Sequence, residues 1–398
     1  MIQERLKALR AEMEKRGITV YVVPTADFHE SEYVGDHFKA RKFITGFTGS
    51  AGTAVITLDE AGLWTDGRYF VQAENQLKDS TVTLYRMGEE GVPTVDEFVK
   101  DRLKEGGCLG FDGRVVNGTW GGKLEKIAAE KNVSMHVTED LIDLIWEDRP
   151  ALSKQPLFIL EEKYSGKSTA DKIADLRKAM KENGADVHIL TSLYDIAWLL
   201  NIRGNDIDYV PVVLSYLVLN ETECIWFLQE EVVDDKIRAY LEENHITTKP
   251  YDAIYDYVPE IPADAVVLMN RGTVNYRIVN SLDKAIKVVD KPNPTELMKA
   301  VKNKTEVDNT RAAHVKDGVA FTKFMYWLKT NIGKIPMTEI SASDYLEARR
   351  REQDNFIELS FNTICAYGAN AAMMHYAATP ESDAELKPED RKSTRLNS

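Results

Sequence analysis

The sequence has few cysteines and no long apolar run. Cys108, Cys224 and Cys365 are widely spaced and form no CxxC pair, which argues against a disulfide scaffold and favours a reducing compartment. Nowhere do about 18 apolar residues run together, as a transmembrane helix requires. The N-terminus, MIQERLKALRAEME, is charged and amphipathic and lacks the apolar segment of a signal peptide. We therefore expect a cytoplasmic protein with no membrane partner.

An excess of positive charge is also missing. The chain carries 50 Lys and Arg against 64 Asp and Glu, a formal net charge of −14. Because nucleic-acid binding needs clustered Lys and Arg to neutralise phosphates, we expect no nucleic-acid partner. At 398 residues the chain is long enough for two or three domains.

An internal repeat organises the first three quarters of the chain. In each copy a helix with apolar residues three and four apart ends at a glycine, and a short β-run follows, Val20–Val23 or Val187–Leu190. The matching positions of the two copies are Leu9-Arg10, Met13 and Gly17, and Leu176-Arg177, Met180 and Gly184. Constant spacing in matching context predicts a duplicated α/β domain.

Proline-containing linkers and a change of composition give the expected boundaries. We predict one α/β domain over residues 1–155 and a second over 156–291. Residues 292–389 begin a third, α+β region, with helices over Glu306–Leu328 and Thr338–Glu352. Asn293, Pro294 and Glu296 are typical of the start of a helix.

The stretch Phe361–Glu381, FNTICAYGANAAMMHYAATPE, predicts a pair of strands. A buried strand through Ile364 is followed by a turn at Gly368–Asn370, and then by a second strand that carries His375 and Tyr376.

Metal and phosphate motifs are lacking. There is no HExxH, no HxH and no cysteine pair, so the sequence predicts no zinc site. The run GFTGSAG, Gly46–Gly52, lacks the Lys of a phosphate-binding loop and leads into β-branched residues, which indicates a glycine turn before a strand. His314 is alone on its predicted helix, where a packed or capping role is the expectation.

Several of these segments together resemble the three-domain Xaa-Pro aminopeptidases, metallopeptidases with the creatinase-like pita-bread fold. The segments are PTADFHESEYVG, RKFITGFTGSAGTAVIT, LWTDGRYFVQAENQL, WLLNIRGNDIDYVP, RAAHVKDG and NTICAYGANAAMMHY. The resemblance implies two creatinase-N-like α/β domains followed by the start of a pita-bread catalytic domain. It implies removal of the N-terminal residue from peptides with proline in second position.

The same resemblance suggests site residues and partners. His375 would hydrogen-bond the scissile carbonyl or the developing oxyanion of a proline-containing peptide. Arg203 would contact the substrate, although a solvated turn with a local ion pair to Asp206 or Asp208 is the plainer interpretation. In the family, two manganese ions activate a water, and homodimers are common.

The family's metal ligands, two Asp, one His and two Glu, come after the position of His375, so none is assigned in this sequence. Asp383, Glu385 and Glu389 lie in an apparent loop and are not expected to be ligands. The tail Asp390–Ser398, DRKSTRLNS, reads as the translation of GATCGGAAGAGCACACGTCTGAACTCC, which resembles a sequencing-library adapter. We therefore expect residues 390–398 to be an artefact, and the chain to be the N-terminal portion of a longer enzyme, inactive and metal-free by itself.

Two alternatives from other classes remain. A pita-bread protein without metal could serve as a protein-binding module, its acidic surface facing basic partners. A creatinase-like amidinohydrolase shares the fold without metals. Strands after His375 that carry the family's metal ligands would indicate a peptidase. Absence of those ligands would indicate one of these two alternatives.

Overall fold

The computed structural model describes residues 1–388 and the backbone of 393–395. The chain divides into two compact units. Unit 1 comprises Met1–Ile207 and Pro211–Val301, and unit 2 comprises Asp208–Val210 and Lys302–Ser398.

The first part of unit 1 is a six-stranded mixed sheet with helices. Its elements are α1 (Ile2–Lys15), β1 (Val20–Pro24), α2 (Ala40–Thr45), β2 (Thr53–Thr57), β3 (Ala61–Thr65), α3 (Phe70–Leu77), β4 (Thr83–Arg86), α4 (Val95–Arg102), β5 (Cys108–Phe111), α5 (Gly118–Glu130) and β6 (Ser134–His136). The strand order is β4-β3-β2-β1-β5-β6. β1 pairs antiparallel with β2 and parallel with β5, which places it at the centre of the sheet.

The second part of unit 1 contains another six-stranded sheet. Its elements are β7 (Phe158–Ile159), α6 (Glu162–Ser165), α7 (Thr169–Glu182), β8 (Val187–Leu190), α8 (Leu193–Leu200), β9 (Ile202–Arg203), β10 (Ser215–Leu219), β11 (Cys224–Leu228), α9 (Asp235–Glu243), β12 (Ile246–Pro250), α10 (Ile254–Tyr257), β13 (Val266–Met269), α11 (Tyr276–Ser281), β14 (Lys287–Asp290) and α12 (Pro294–Ala300). The strand order is β12-β11-β10-β8-β13-β14, and β7 pairs with β9 separately.

The two sheets have the same topology. β8 occupies the place of β1: it pairs antiparallel with β10 and parallel with β13, as β1 does with β2 and β5. The outer pairs also correspond, since β3–β4 and β11–β12 are both parallel. The predicted duplication is thus confirmed strand by strand.

The helix ends that revealed the repeat have the expected geometry. α1 and α7 are each followed by a glycine with positive φ, +66° at Gly17 and +63° at Gly184. A residue with a Cβ would be strained there, which explains why glycine occurs at both positions.

The two copies meet through equivalent helices. Asn117 and Asn275 cap α5 and α11 by accepting a hydrogen bond from Trp120 N and Ile278 N, and the two asparagines form a β-bridge with each other. A Cβ placed at Gly121 would lie 2.2 Å from the ring of Tyr276, so glycine allows the two helices to approach. The copies therefore share one interface inside unit 1.

Unit 2 is mainly helical. It contains α13 (Lys304–Asn331), α14 (Glu339–Arg351), β15 (Ile364–Ala366), a 3₁₀ helix at Gly368–Ala372 and β16 (Ser393–Arg395). The antiparallel pairing of β15 with β16 joins Cys365 to Thr394. The rest of the expected adapter-like tail, residues 390–392 and 396–398, lies outside the described residues, as does Glu389.

The predicted helices Glu306–Leu328 and Thr338–Glu352 match α13 and α14 within a few residues. Val212 and Val213 are buried but precede β10, so burial of an apolar run is not by itself evidence of strand pairing. Within the described residues no helix is long and apolar enough to cross a membrane. The three cysteines are buried free thiols.

Candidate active site

The segment that carries His375 is a turn, and the prediction of a second strand there is wrong. After β15, Gly368 takes φ +57°, the chain forms the 3₁₀ helix Gly368–Ala372, and His375 lies in the following turn with its side chain exposed. The side chains of this segment bond to a neighbouring carboxylate, and such local bonds compete with strand pairing.

That carboxylate belongs to Glu339, the first residue of α14, which is completely buried. Its Oε1 accepts hydrogen bonds from Tyr367 N at 2.6 Å and from Asn370 Nδ2 at 3.2 Å. Its Oε2 accepts from Tyr376 Oη at 2.7 Å, from Asn370 Nδ2 at 3.1 Å and from Ala384 N at 3.1 Å. The donors begin and end the segment 367–384, so one carboxylate organises the whole turn.

A second layer of hydrogen bonds closes the same segment. Asn370 Nδ2 donates to Ser382 O at 3.0 Å, and the hydroxyls of Tyr376 and Ser382 lie 2.8 Å apart. Burial, with Glu339 beside it, raises the pKa of Tyr376 to about 12. The phenol is therefore protonated at neutral pH and donates its hydrogen bond.

Sequence reasoning missed Glu339. The residue follows Thr338, which caps α14 by accepting a hydrogen bond from Ser341 N, and an acidic residue in the first turn of a helix usually faces solvent near the helix dipole. The only signal in the sequence was the nearby set of Asn370, Tyr376 and Ser382, whose donors can satisfy a buried carboxylate.

Arg203 has a structural environment that differs from the predicted solvated turn. It lies in β9, is half-buried, and its guanidinium donates to the carbonyl oxygens of Ala197 and Ile202. Asp206 accepts hydrogen bonds from Gln155 N and Leu214 N. The structure does not bring Arg203 and His375 together in one unit.

A cavity of about 430 Å³ lies elsewhere in unit 2, between α13, the end of α14 and the loop 353–360. His314 lines it with an exposed side chain, so the expected packed or capping role is wrong. An ion pair between Arg350 Nε and Asp317 Oδ1 at 2.6 Å forms part of its wall.

The described residues do not fit a metal centre. Throughout residues 1–388 no group of three or more His, Cys, Asp or Glu side chains could hold a metal ion. Asp383 instead accepts a hydrogen bond from Ile340 N at 3.0 Å, and Glu385 is exposed.

Comparison with known proteins assigns all three regions. The creatinase/prolidase N-terminal domain matches residues 5–145 and, in a second form, 148–306. Metallopeptidase family M24 matches residues 308–391.

Among similar proteins are two fungal ones named "Probable Xaa-Pro aminopeptidase P". The protein from Sordaria macrospora is 39% identical over 388 residues, which are 94% of this chain and 63% of the relative. The Neurospora crassa protein is also 39% identical over 388 residues, with 56% of its length covered. The chain thus spans less than two thirds of the length of these relatives.

A solved structure has the same fold. The X-prolyl aminopeptidase from Caenorhabditis elegans, described as a cytosolic enzyme with a di-nuclear active site, superposes with a TM-score of 0.93 at 31% identity. The match covers 98% of this chain and 66% of that one. The chain therefore consists of two segments that match the creatinase/prolidase N-terminal domain, followed by a segment that matches metallopeptidase family M24.

Proposed function

We propose that this chain is part of an enzyme that removes the N-terminal residue from peptides with proline in second position. The observation that carries the proposal is the similarity over 94% of the chain to proteins named Xaa-Pro aminopeptidase P, together with the shared fold of the X-prolyl aminopeptidase from C. elegans.

The substrate explains why a dedicated enzyme is required. The nitrogen of an Xaa-Pro bond carries no hydrogen, and the proline ring fixes φ near −65°. Peptidases that hold the substrate N–H in a β-ladder therefore bind this bond poorly. A shaped site that recognises the free amino terminus and the ring supplies the specificity instead.

His375 is the proposed catalytic residue of this chain. Its exposed imidazole would donate a hydrogen bond to the scissile carbonyl, and the bond would strengthen as negative charge develops on that oxygen. A donor fixed in place before the reaction stabilises the transition state without reorganisation, so the hydrogen bonds that hold the turn to Glu339 support this role. Arg203 remains a proposed substrate contact, although its guanidinium already bonds two backbone carbonyls.

The proposed enzyme uses two divalent cations, and we propose that both are manganese. The di-nuclear active site of the C. elegans relative supports the number, and oxygen-rich ligand sets suit Mn²⁺ better than Zn²⁺. We further propose a cytoplasmic location and a homodimer.

The test begins with the gene. Sequencing it through and beyond codon 389 from a primer inside the coding region defines the whole reading frame, and the protein expressed from that frame is assayed. We expect Mn²⁺-dependent release of the first residue from an Xaa-Pro-Xaa tripeptide, and none from the matched Xaa-Ala-Xaa tripeptide.

A chelator followed by excess Mn²⁺ serves as the control, because activity should disappear and return. Equal cleavage of both tripeptides, or no cleavage after metal loading, would contradict the proposed function. Absence of two Asp, one His and two Glu after His375 would instead favour a metal-free binding module.

A further inference from the structure

We infer that Glu339 is the positioning residue of His375. The inference rests on the proposed function, because it takes the imidazole of His375 to act on the substrate. Glu339 itself is buried under the turn and acts only through the residues that it holds.

Burial of the Glu339 carboxylate costs free energy unless hydrogen bonds satisfy its oxygens. Glu339 has no exposed surface, and the four donors described above are neutral groups: two backbone amides, one side-chain amide and one phenol. Where the described residues place no cation beside a buried carboxylate, its oxygens must be satisfied by hydrogen bonds. Bonds to an ionised acceptor are also roughly twice as strong as neutral ones. The segment is therefore held by five strong hydrogen bonds to the two oxygens of one buried carboxylate.

The donors to Glu339 are spread along the whole segment 367–384. Tyr367 N and Ala384 N come from the two ends of the segment, and Asn370 and Tyr376 come from its middle. A single acceptor thus fixes the ends and the interior together. His375 lies inside the closed loop that results.

The neighbouring side chains of His375 and Tyr376 differ in exposure. Tyr376 is 6% exposed and bonds Glu339, whereas His375 is exposed. Because adjacent side chains leave the backbone in different directions, fixing Tyr376 inward also fixes the direction in which His375 can project. Release of the phenol would allow the backbone at residue 375 to rotate.

A double-mutant cycle in the protein expressed from the whole gene tests the inference. Glu339→Gln keeps the size of the side chain but places an NH₂ group against donors. We expect it to lower kcat by about a hundredfold, the effect of displacing a catalytic group by roughly 1 Å, with little change in KM. Tyr376→Phe removes one bond and should lower kcat by a smaller factor.

The double-mutant cycle distinguishes a loss of kcat that acts through His375 from a loss caused by a general change in the structure. If Glu339 acts through His375, then Glu339→Gln causes no further loss of kcat in a His375→Ala background. Losses that multiply, or a Glu339→Gln enzyme with unchanged kcat, would overturn the inference. Asp344→Asn, on the exposed part of α14, is the matched control and should have no effect.

A measurement on the 398-residue chain keeps the inference testable without activity. The NMR signal of the His375 imidazole, assigned by its loss in His375→Ala, should differ from that of a histidine in an unfolded peptide. In Glu339→Gln and Tyr376→Phe it should move toward the unfolded-peptide position, while far-UV circular dichroism stays unchanged. An unmoved signal in both folded variants would contradict the inference. If the whole-gene protein cleaves no Xaa-Pro peptide but the signal moves as expected, the proposed function fails and the positioning by Glu339 stands.

Discussion

Unit 1 and unit 2 use their apolar residues differently. The 14-residue helix α7 of unit 1 buries Thr169, Lys172, Ile173, Leu176 and Met180. The 28-residue helix α13 of unit 2 buries Ala320 and Phe324. Apolar residues at helical spacing predict a helix in both cases, but they do not show that the apolar face is covered.

The exposed residues of α13 form a stripe along one side of the helix. Val315, Val319 and Tyr326 are four and seven residues apart and are 69%, 45% and 73% exposed. Residues at this spacing share a helix face. Helix α13 therefore gains less stabilisation per residue from burial than α7 does, and four predictions test how far this contrast extends to the two units.

The largest effect is expected in limited proteolysis. Trypsin should remove unit 2 from the 398-residue chain and leave a resistant fragment that ends between Pro292 and Lys304, because unit 1 has its own buried cores and should fold independently. Mass spectrometry of the product over time identifies the end. If a fragment that starts near Lys302 survives instead, unit 2 would be more resistant to trypsin than unit 1, contrary to this prediction.

A core substitution in unit 1 should be strongly destabilising. Leu217 is fully buried in β10, a strand with neighbours on both sides. Leu217→Ala should lower the free energy of unfolding by about 2–5 kcal/mol, since it removes buried methyl groups and leaves a cavity. Urea denaturation followed by tryptophan fluorescence measures the change, and a loss below 1 kcal/mol would show that the core relaxes around the gap.

Acid should weaken the interface between the two copies in unit 1. His29 Nδ1 lies 3.0 Å from Thr191 O and its Nε2 lies 2.6 Å from Tyr251 Oη, and burial lowers the pKa of His29 to about 4. The unfolded chain binds this proton near pH 6.5. The contribution of neutral His29 is thus fully present above pH 6.5 and is lost as pH falls toward 4, by about 3 kcal/mol.

Urea unfolding of the wild type and His29→Asn at pH 7.5 and 4.5 measures this contribution. The variant should lose less stability between the two pH values than the wild type does. His245→Asn changes an exposed histidine and should retain the wild-type difference. Equal differences in all three proteins would exclude His29 as the source.

The smallest effect is expected on α13. Val315→Ala should change the free energy of unfolding by less than about 0.5 kcal/mol, because the side chain is mostly exposed. The same urea titration used for Leu217→Ala measures it. A loss above 1 kcal/mol would mean that the stripe is covered in solution.

Local signals in the sequence were sufficient to predict the duplicated fold. Gly17 and Gly184 mark equivalent helix ends, and the β-runs that follow are the central strands of equivalent sheets. The start of α12 was equally predictable, since the carboxylate of Glu296 in its first turn accepts a hydrogen bond from Asn293 N.

The site was less predictable because its structure depends on partners distant in sequence. Alternation of side chains around His375 is compatible with a strand, yet Asn370 and Tyr376 bond a carboxylate more than 30 residues upstream. Arg203, by contrast, bonds the carbonyls of Ala197 and Ile202, which lie only six residues and one residue before it. Neither contact has a periodic signature.

Whether His375 belongs to an active site is tested most directly by the kcat of His375→Ala in the protein expressed from the whole gene. We predict a loss of about 10²–10³-fold on an Xaa-Pro substrate, the typical effect of removing one donor to a developing oxyanion. The melting temperature should not change, because the side chain is exposed. An unchanged kcat would contradict the proposed role of His375, and with it the role assigned to the turn that Glu339 holds.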